Sequence, residues 1–562
     1  MTTQFRRSDD QSAPLLSVRS LSVSFQTAEG AVNAVQDVSL DIHRGQTLAI
    51  VGESGSGKST TASAINRLLP ENGNITSGQI LFADMDIAQA TEAQMRKLRG
   101  AGIGWVPQDP MSNLNPMMKI GDQVIEALAA HDRVKGKDAR REAVKLLEMV
   151  GIPEPERRLS QHPHEFSGGM RQRALIAIGL ACRPRLLIAD EPTSALDVTV
   201  QRRILDQLEG LTTQFGTAVC LITHDLGLAA ERADHIAVMR NGEIVEQNDV
   251  NAIMHDPQHA YTKKLLTAAP SLSTRSIAAP IDISQRAREK SHDDTDGGSQ
   301  HIISTTDLVK DFELKRSFGT QERYFRAVNG TSFSIPYGQT VSIVGESGSG
   351  KSTIANMILG LEPITSGKID VDGQDMTGFS KDDFFAFRRR VQPVFQNPYA
   401  SLDPRYSVER SIAEPLRVHR VDSRHDRRKR VAQLLDQVAL PNSVAPRLPH
   451  ELSGGQQQRV AIARALALAP DLVVLDEAVS ALDVLVQNQI LELLAELQHE
   501  LGLSYLFISH DLAVVRMISH QVHVMKSGEF VESGTPDEIF ARPQSEYTRE
   551  LLAAIPTFKA AS

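Results

Sequence analysis

Gly52-Glu53-Ser54-Gly55-Ser56-Gly57-Lys58-Ser59-Thr60 lies between an apolar run, Thr47 to Val51, and a helical run that starts near Thr61. The order is strand, glycine-rich loop, helix, and the spacing fits G-x-x-x-x-G-K-[ST]. Glycines let successive backbone amides turn toward one anion. The helix start adds about half a positive charge. Lys58 is placed to reach the β- and γ-phosphates of a nucleotide, and the Ser59 hydroxyl to ligate Mg²⁺. The same loop recurs as Gly345-Glu346-Ser347-Gly348-Ser349-Gly350-Lys351-Ser352-Thr353. Two near-identical loops, each between a strand and a helix, argue against coincidence.

Outward from these loops, the whole chain reads as a duplication. Lys58 pairs with Lys351. Ser167-Gly168-Gly169, Asp190-Glu191 and His224 pair with Ser453-Gly454-Gly455, Asp476-Glu477 and His510 at one constant spacing. The expected organisation is an N-terminal tail (1–14), a first module (15–270), a flexible linker (271–301) and a second module (302–558). From Ser284 to Ser299 the linker has almost no apolar residue. In each module, alternating strands come first, Leu15 to Phe25 and Val35 to Ile42, then Ile302 to Phe312 and Val328 to Ile335. Helix-rich middles follow (Asp122 to Ala130, Asp138 to Val150; Arg427 to Val438). Apolar strands Leu186 to Ala189 and Leu472 to Leu475 come next, and hairpins turn at Asn241-Gly242 and Ser527-Gly528. Apolar strands alternating with helices predict an α/β fold, a parallel sheet covered on both faces.

At 562 residues the chain can hold several full cores, and its net charge of −9 gives no basic footprint for nucleic acid. Two cysteines, Cys182 and Cys220, cannot build a disulfide framework or a cysteine-rich metal site; both sit in apolar runs and are expected buried and reduced. Met1 to Pro14 lacks the apolar core of a signal peptide. No apolar run approaches the ~18–20 residues of a membrane span. The expected place is the cytosol, or a membrane reached through another subunit. One basic run, Arg424 to Arg430, reads as a solvated helix face.

A carboxylate at a strand's C-terminal end beside a phosphate loop can hold Mg²⁺, which is the reading of Asp190 and Asp476. The adjacent Glu191 and Glu477 can orient and deprotonate water. His224 and His510 each follow an apolar strand and can sense the γ-phosphate or position water. Ser167 and Ser453 stand at helix starts, either as plain N-caps or as a second anion site.

These elements in this order resemble the nucleotide-binding subunits of ABC transporters. Phe166 to Met170 and Leu452 to Gln456 look like the signature. Ser194-Ala195-Leu196-Asp197 and Ser480-Ala481-Leu482-Asp483 look like the D-loop. Gln108 and Gln396 look like the Q-loop glutamine. The resemblance implies two tandem P-loop domains, each a RecA-like parallel-sheet core with an antiparallel β subdomain and a helical subdomain. It also implies a head-to-tail pairing of the halves around ATP·Mg. Site one would join Gly52, Ser54, Gly55, Ser56, Gly57, Lys58, Ser59, Thr60, Gln108, Asp190, Glu191 and His224 to Ser453, Gly454 and Gly455. Site two would join Gly345, Ser347, Gly348, Ser349, Gly350, Lys351, Ser352, Thr353, Gln396, Asp476, Glu477 and His510 to Ser167, Gly168 and Gly169. Mg²⁺ would be held by Ser59, Gln108 and Asp190, and by Ser352, Gln396 and Asp476. The family often stacks adenine on an aromatic residue; half two offers Phe325, while half one has Val32 there. Met170 replaces the usual signature glutamine.

The Q-loop extensions Gln108 to Pro116 and Gln396 to Pro404, and the tails Asp256 to Thr262 and Arg542 to Thr548, are similar to the ATPases of dipeptide, oligopeptide and nickel importers. The implied partners are two integral membrane permease subunits and an extracytoplasmic solute-binding protein. Membrane contact would then be indirect, at the cytoplasmic face, and the Q-loop extension would help form the groove that accepts a permease helix. With no Cys after Cys220, no iron–sulfur cluster is expected after the tail tyrosine, and no nucleic acid is expected as partner. The competing reading is a soluble double ATPase acting on ribosomes or nucleic acid. It needs a basic helical linker, and this linker has mixed charge.

Overall fold

The computed structural model describes residues 13–27, 30–131, 136–193, 196–268, 277, 300–313, 324–396, 401–421, 423–480 and 482–555. Outside them lie most of the N-terminal tail, nearly all of the linker, D-loop residues Ser194, Ala195 and Ala481, and Asn397 to Ala400 of the second Q-loop extension. The chain divides into two compact units.

In the first unit the strands are β1 (Leu16–Thr27), β2 (Gly30–Ile42), β3 (Thr47–Val51), β4 (Gly73–Phe82), β5 (Met85–Asp86), β6 (Ile103–Val106), β7 (Leu186–Asp190), β8 (Ala218–Thr223), β9 (His235–Arg240) and β10 (Glu243–Asp249). They form an antiparallel sheet, β2-β1-β4-β5, and a six-stranded sheet, β10-β9-β3-β8-β7-β6. The second sheet is parallel except for the β9–β10 hairpin. Asn241 and Gly242 both have positive φ, 50° and 86°, which is the two-residue turn that this dipeptide predicts. One apolar core joins β1, β2 and β4 to the face of β3, β7 and β8. Both cysteines are buried, and neither is in a disulfide. Helices Ile120–Ala129, Lys137–Met149 and Gly168–Leu180 pack on one another as the helical part.

The second unit repeats the plan with β11 (His301–Glu313), β12 (Tyr324–Pro336), β13 (Thr340–Val344), β14 (Ser366–Val371), β15 (Gln374–Asp375), β16 (Val391–Val394), β17 (Leu472–Asp476), β18 (Ser504–Ser509), β19 (Gln521–Lys526) and β20 (Glu529–Gly534). The sheet orders are β12-β11-β14-β15 and β16-β17-β18-β13-β19-β20. Separate apolar cores cover the two faces of its larger sheet. Ile277, from the linker stretch, donates its amide to the Met517 carbonyl at 2.8 Å and packs on the larger of these cores.

Element boundaries differ from the expected ones by a few residues. The helix after the first phosphate loop starts at Lys58 rather than near Thr61, because Gly57 (φ 100°) turns the chain into the helix immediately. The basic run lies on helix Arg424–Gln437, with His425, Asp426, Arg428 and Lys429 exposed and Arg428 paired to Glu409 at 2.9 Å.

Candidate functional site

Each phosphate loop leaves the C-terminal end of a central strand, β3 or β13, and ends on a helix, Lys58–Ile65 or Lys351–Ile358. No side chain caps either helix, whereas Thr91, Ser167, Asp225 and Asp483 cap theirs. The caps are Gly57 and Gly350, in left-handed conformation. A Cβ on Gly57 would meet the Ala34 carbonyl at 2.6 Å; on Gly350 it would meet the Ala327 carbonyl at 2.4 Å. Only glycine fits there, and it leaves the first helical amides open to an anion.

Lys58 and Lys351 are buried. Lys58 Nζ donates to the carbonyls of Gly52 and Glu53, both at 2.8 Å. Lys351 Nζ donates to those of Gly345 and Glu346 at 2.7 and 2.8 Å. Burial pulls the Lys351 ammonium below its ordinary value. Ser54, Gly55, Ser347 and Gly348 are exposed at the tips of the loops. The buried hydroxyls of Ser56 and Ser349 have no hydrogen-bond partner among the described residues. Helix starts without a side-chain cap, a buried cation and orphaned loop hydroxyls fit a triphosphate.

Strand ends β7 and β17 bring the carboxylates in. Ser59 Oγ donates to Asp190 Oδ1 at 3.0 Å, and Ser352 Oγ to Asp476 Oδ1 at 3.1 Å. Oxygen donors of this kind, together with phosphate oxygens, suit Mg²⁺. No cluster of three or more His, Cys, Asp or Glu able to hold a metal exists among the described residues. Glu191 and Glu477, one residue on, have φ of 44° and 48°. Strain at a non-glycine residue of this kind clusters at functional sites. The Glu191 and Glu477 amides donate to the Ile222 and Ile508 carbonyls, both at 2.9 Å. The kink turns each glutamate out of the strand register, which the sequence does not reveal.

Around each glutamate two partners converge. Gln108 Nε2 donates to Glu191 Oε2 at 2.8 Å, and His224 Nδ1 to Oε1 at 3.2 Å. Gln396 Nε2 donates to Glu477 Oε2 at 2.6 Å, and His510 Nδ1 lies 3.5 Å from the same oxygen. The amide oxygen of each glutamine is the atom whose chemistry suits a hard cation. Burial alone would raise the Glu191 carboxyl, but the His224 hydrogen bond and charge outweigh it and hold Glu191 ionised. Glu477 is lowered the same way by His510. Burial would lower His224, and the bond to Glu191 raises it instead.

Burial pushes Asp190 up to about 6, against the opposing Ser59 bond, with the Glu191 charge adding to it; Asp476 is raised by the same first cause. A carboxyl raised on folding costs stability above its folded pKa and nothing below its unfolded one. Asp190→Asn should therefore stabilise the nucleotide-free chain near pH 8 by roughly 1–3 kcal/mol, a gain that shrinks as pH falls through about 6. Thermal denaturation at pH 8 and pH 5 checks this, and the same variant should lose Mg²⁺-dependent ATP binding.

Ser167 caps helix Gly168–Leu180 by accepting from the Met170 amide at 3.4 Å. Ser453 caps helix Gly454–Leu466, accepting from the Gln456 amide at 3.3 Å while Gln456 Oε1 accepts from the Ser453 amide at 3.1 Å. Met170 has no oxygen for that return bond. A Cβ on Gly169 would lie 2.8 Å from Val200 Cγ1, and on Gly455 2.4 Å from Val486 Cγ1. Phe325 pairs across strands with Phe312, and Val32 with Phe25, so the two registers match. Both are about half exposed, and the ring platform exists in the second unit alone of these two positions.

The ABC transporter family description matches residues 35–194 and 328–480, one stretch in each unit and over half of the chain. The chain belongs to the ABC transporter family. A second description, oligopeptide/dipeptide transporter, C-terminal region, matches 245–297 and 531–562, so this is a two-module ABC ATPase of the peptide-importer class. A glutathione import ATP-binding protein of Salmonella choleraesuis is 46% identical over 97% of this chain and 90% of its own length. The proteins of the same description from Pectobacterium atrosepticum and Escherichia coli K12 are 45% and 44% identical, each over 96% of this chain and 89% of their own. Among solved structures, a dimeric ATP-binding cassette in a post-hydrolysis state bound to ADP and phosphate is 29% identical over 42% of this chain and 98% of its own, with a TM-score of 0.39. No described helix of this ABC ATPase is long and apolar enough to cross a membrane.

Proposed function

We propose that this ABC ATPase hydrolyses ATP to drive import of a peptide-class solute, with dipeptides, oligopeptides and glutathione as the candidate cargo. The observation that carries the reading is the importer-type C-terminal region in both modules, 245–297 and 531–562. Permeases and a solute-binding protein complete the transporter, and the ATPase sits peripherally at the cytoplasmic face of the membrane.

ATP binds at two composite sites, each pairing one module's loop with the other module's signature, Lys58 with Ser453 and Lys351 with Ser167. The physical support is that a single loop leaves the γ-phosphate half solvated, and a second anion-binding helix start would exclude water and strengthen every contact. Ser59, Asp190 and Gln108, and Ser352, Asp476 and Gln396, would hold Mg²⁺, which when bound would supply positive charge at the transferring phosphoryl group. Glu191 and Glu477 orient the attacking water and take its proton. His224 and His510 hold those glutamates in place.

The permease contact is supported by a cavity of about 480 Å³ in the second unit. Phe395, beside Gln396, lines it with Asp403 of the Q-loop extension, Tyr406 just beyond it, Pro415 and Val418 of helix Val408–Val418, and His419, which ends that helix. Phe395 and Val418 are exposed apolar groups there, as a docking groove for a helix requires. Affinity purification from detergent-solubilised membranes tests the reading. Co-purifying multi-span permeases and a solute-binding protein are expected; recovery of ribosomal proteins in their place overturns it.

A further inference from the structure

The tail motifs Asp256 to Thr262 and Arg542 to Thr548 do more than mark the importer class. In the first unit, Glu246 on β10 accepts from the amides of Gln258 and His259 at 2.7 and 3.1 Å. That fixes the turn leading into helix Ala260–Ala268. From this helix the buried Tyr261 reaches the phosphate loop, and its phenol oxygen accepts from the Glu53 amide at 3.2 Å. The guanidinium of Arg240 lies 4.8 Å over its ring.

The second unit repeats each contact. Glu532 on β20 accepts from the amides of Gln544 and Ser545 at 2.7 and 3.0 Å. Tyr547, on helix Glu546–Ala553, accepts from the Glu346 amide at 3.3 Å, with Lys526 Nζ 4.4 Å over the ring. Glu53 and Glu346 are the second residues of their loops. The carbonyls of these two residues receive Lys58 Nζ and Lys351 Nζ, both at 2.8 Å, and also the amides of Ser56 and Ser349. The tyrosine thus holds the amide of a residue whose carbonyl sets the position of the phosphate-binding lysine.

We infer that Tyr261 and Tyr547 are positioning residues for ATP binding, acting through the Glu53–Lys58 and Glu346–Lys351 contacts. The tail of each module is a clip that fixes the first turn of its own phosphate loop. A loop held in the ligand-ready shape binds without a further ordering cost. A partner or modification that displaced the tail would loosen the same loop.

The inference rests on the ATPase reading, and the test separates the two. In the full chain with Lys351→Ala, leaving only the Lys58 loop, affinity for a fluorescent ATP analogue is measured with and without Tyr261→Phe. The phenylalanine keeps the ring and removes the acceptor oxygen. One lost hydrogen bond to a loop amide predicts about 3- to 10-fold weaker binding, with kcat at saturation unchanged and the melting temperature lowered by no more than about 2–4 °C. Tyr547→Phe in the Lys58→Ala chain is the mirror test. Unchanged affinity, or a loss of affinity that appears only where the variant is already melting, overturns the clip. A Lys351→Ala parent that binds no nucleotide overturns the ATPase reading instead.

Discussion

Replacing Glu191 and Glu477 together by glutamine should lower steady-state ATP hydrolysis by about 10²–10⁴-fold, the range of a lost general base, while ATP binding persists. Lys58 Nζ and Lys351 Nζ donate to loop carbonyls, and the substitution leaves those bonds in place, so the loops keep their grip on phosphate. The substitution is also locally mild. The two Glu191 oxygens accept from Gln108 and His224 separately, while at Glu477 Gln396 and His510 both meet Oε2. A replacing amide can accept from Gln108 and donate to a neutral His224, so the kinked turn survives. What disappears is the held negative charge that takes a proton from water. Hydrolysis and nucleotide retention measured on the same preparations check both halves. If Glu191→Gln alone leaves the rate of hydrolysis unchanged, the base of site one is misassigned.

The second large effect comes from crossing loop and signature variants. In the Glu191→Gln/Glu477→Gln background, Lys58→Ala with Gly455→Asp should retain the ATP of its remaining site. Lys58→Ala with Gly169→Asp should retain none. The first pair damages the same composite site twice; the second damages both. The two glycines face matching obstacles, Val200 and Val486, so local strain is similar and cannot by itself produce the difference. The aspartate adds a negative charge where a phosphate is to be bound, which makes the loss large. The opposite pattern would mean that each module grips nucleotide with its own signature. The single-site chains also report on adenine. Lys58→Ala leaves the site with Phe325, and Lys351→Ala the one with Val32. An aromatic stacking face is worth about 1–3 kcal/mol, so nucleotide titration should find the Phe325 site roughly 5- to 100-fold tighter.

Much of this protein is written in short-range pattern. The loops, the acidic ends of β7 and β17 and the Asn241-Gly242 turn are local statements about backbone freedom, burial and periodicity. They fall where the pattern places them. The phosphate-loop helix started earlier than its apolar pattern suggested, because a glycine cap leaves no mark in hydrophobic spacing. The kink at Glu191 and Glu477 was illegible for a different reason. Nothing about a glutamate announces a positive φ; the backbone turns left-handed where the strand ends, just after its last amide has bonded to the neighbouring strand.

Chemistry of the site residues and the duplication of the plan were determined by the sequence alone, since both depend on residue type and on spacing repeated along the chain. The tertiary structure decided which of those residues meet. Gln108 reaches Glu191 across 83 positions and Tyr261 reaches Glu53 across 208, because the sheet order sets β9 beside β3, and β6 beside β7. Strand order is a property of how whole faces pack, and no window of sequence short enough to show periodicity contains it.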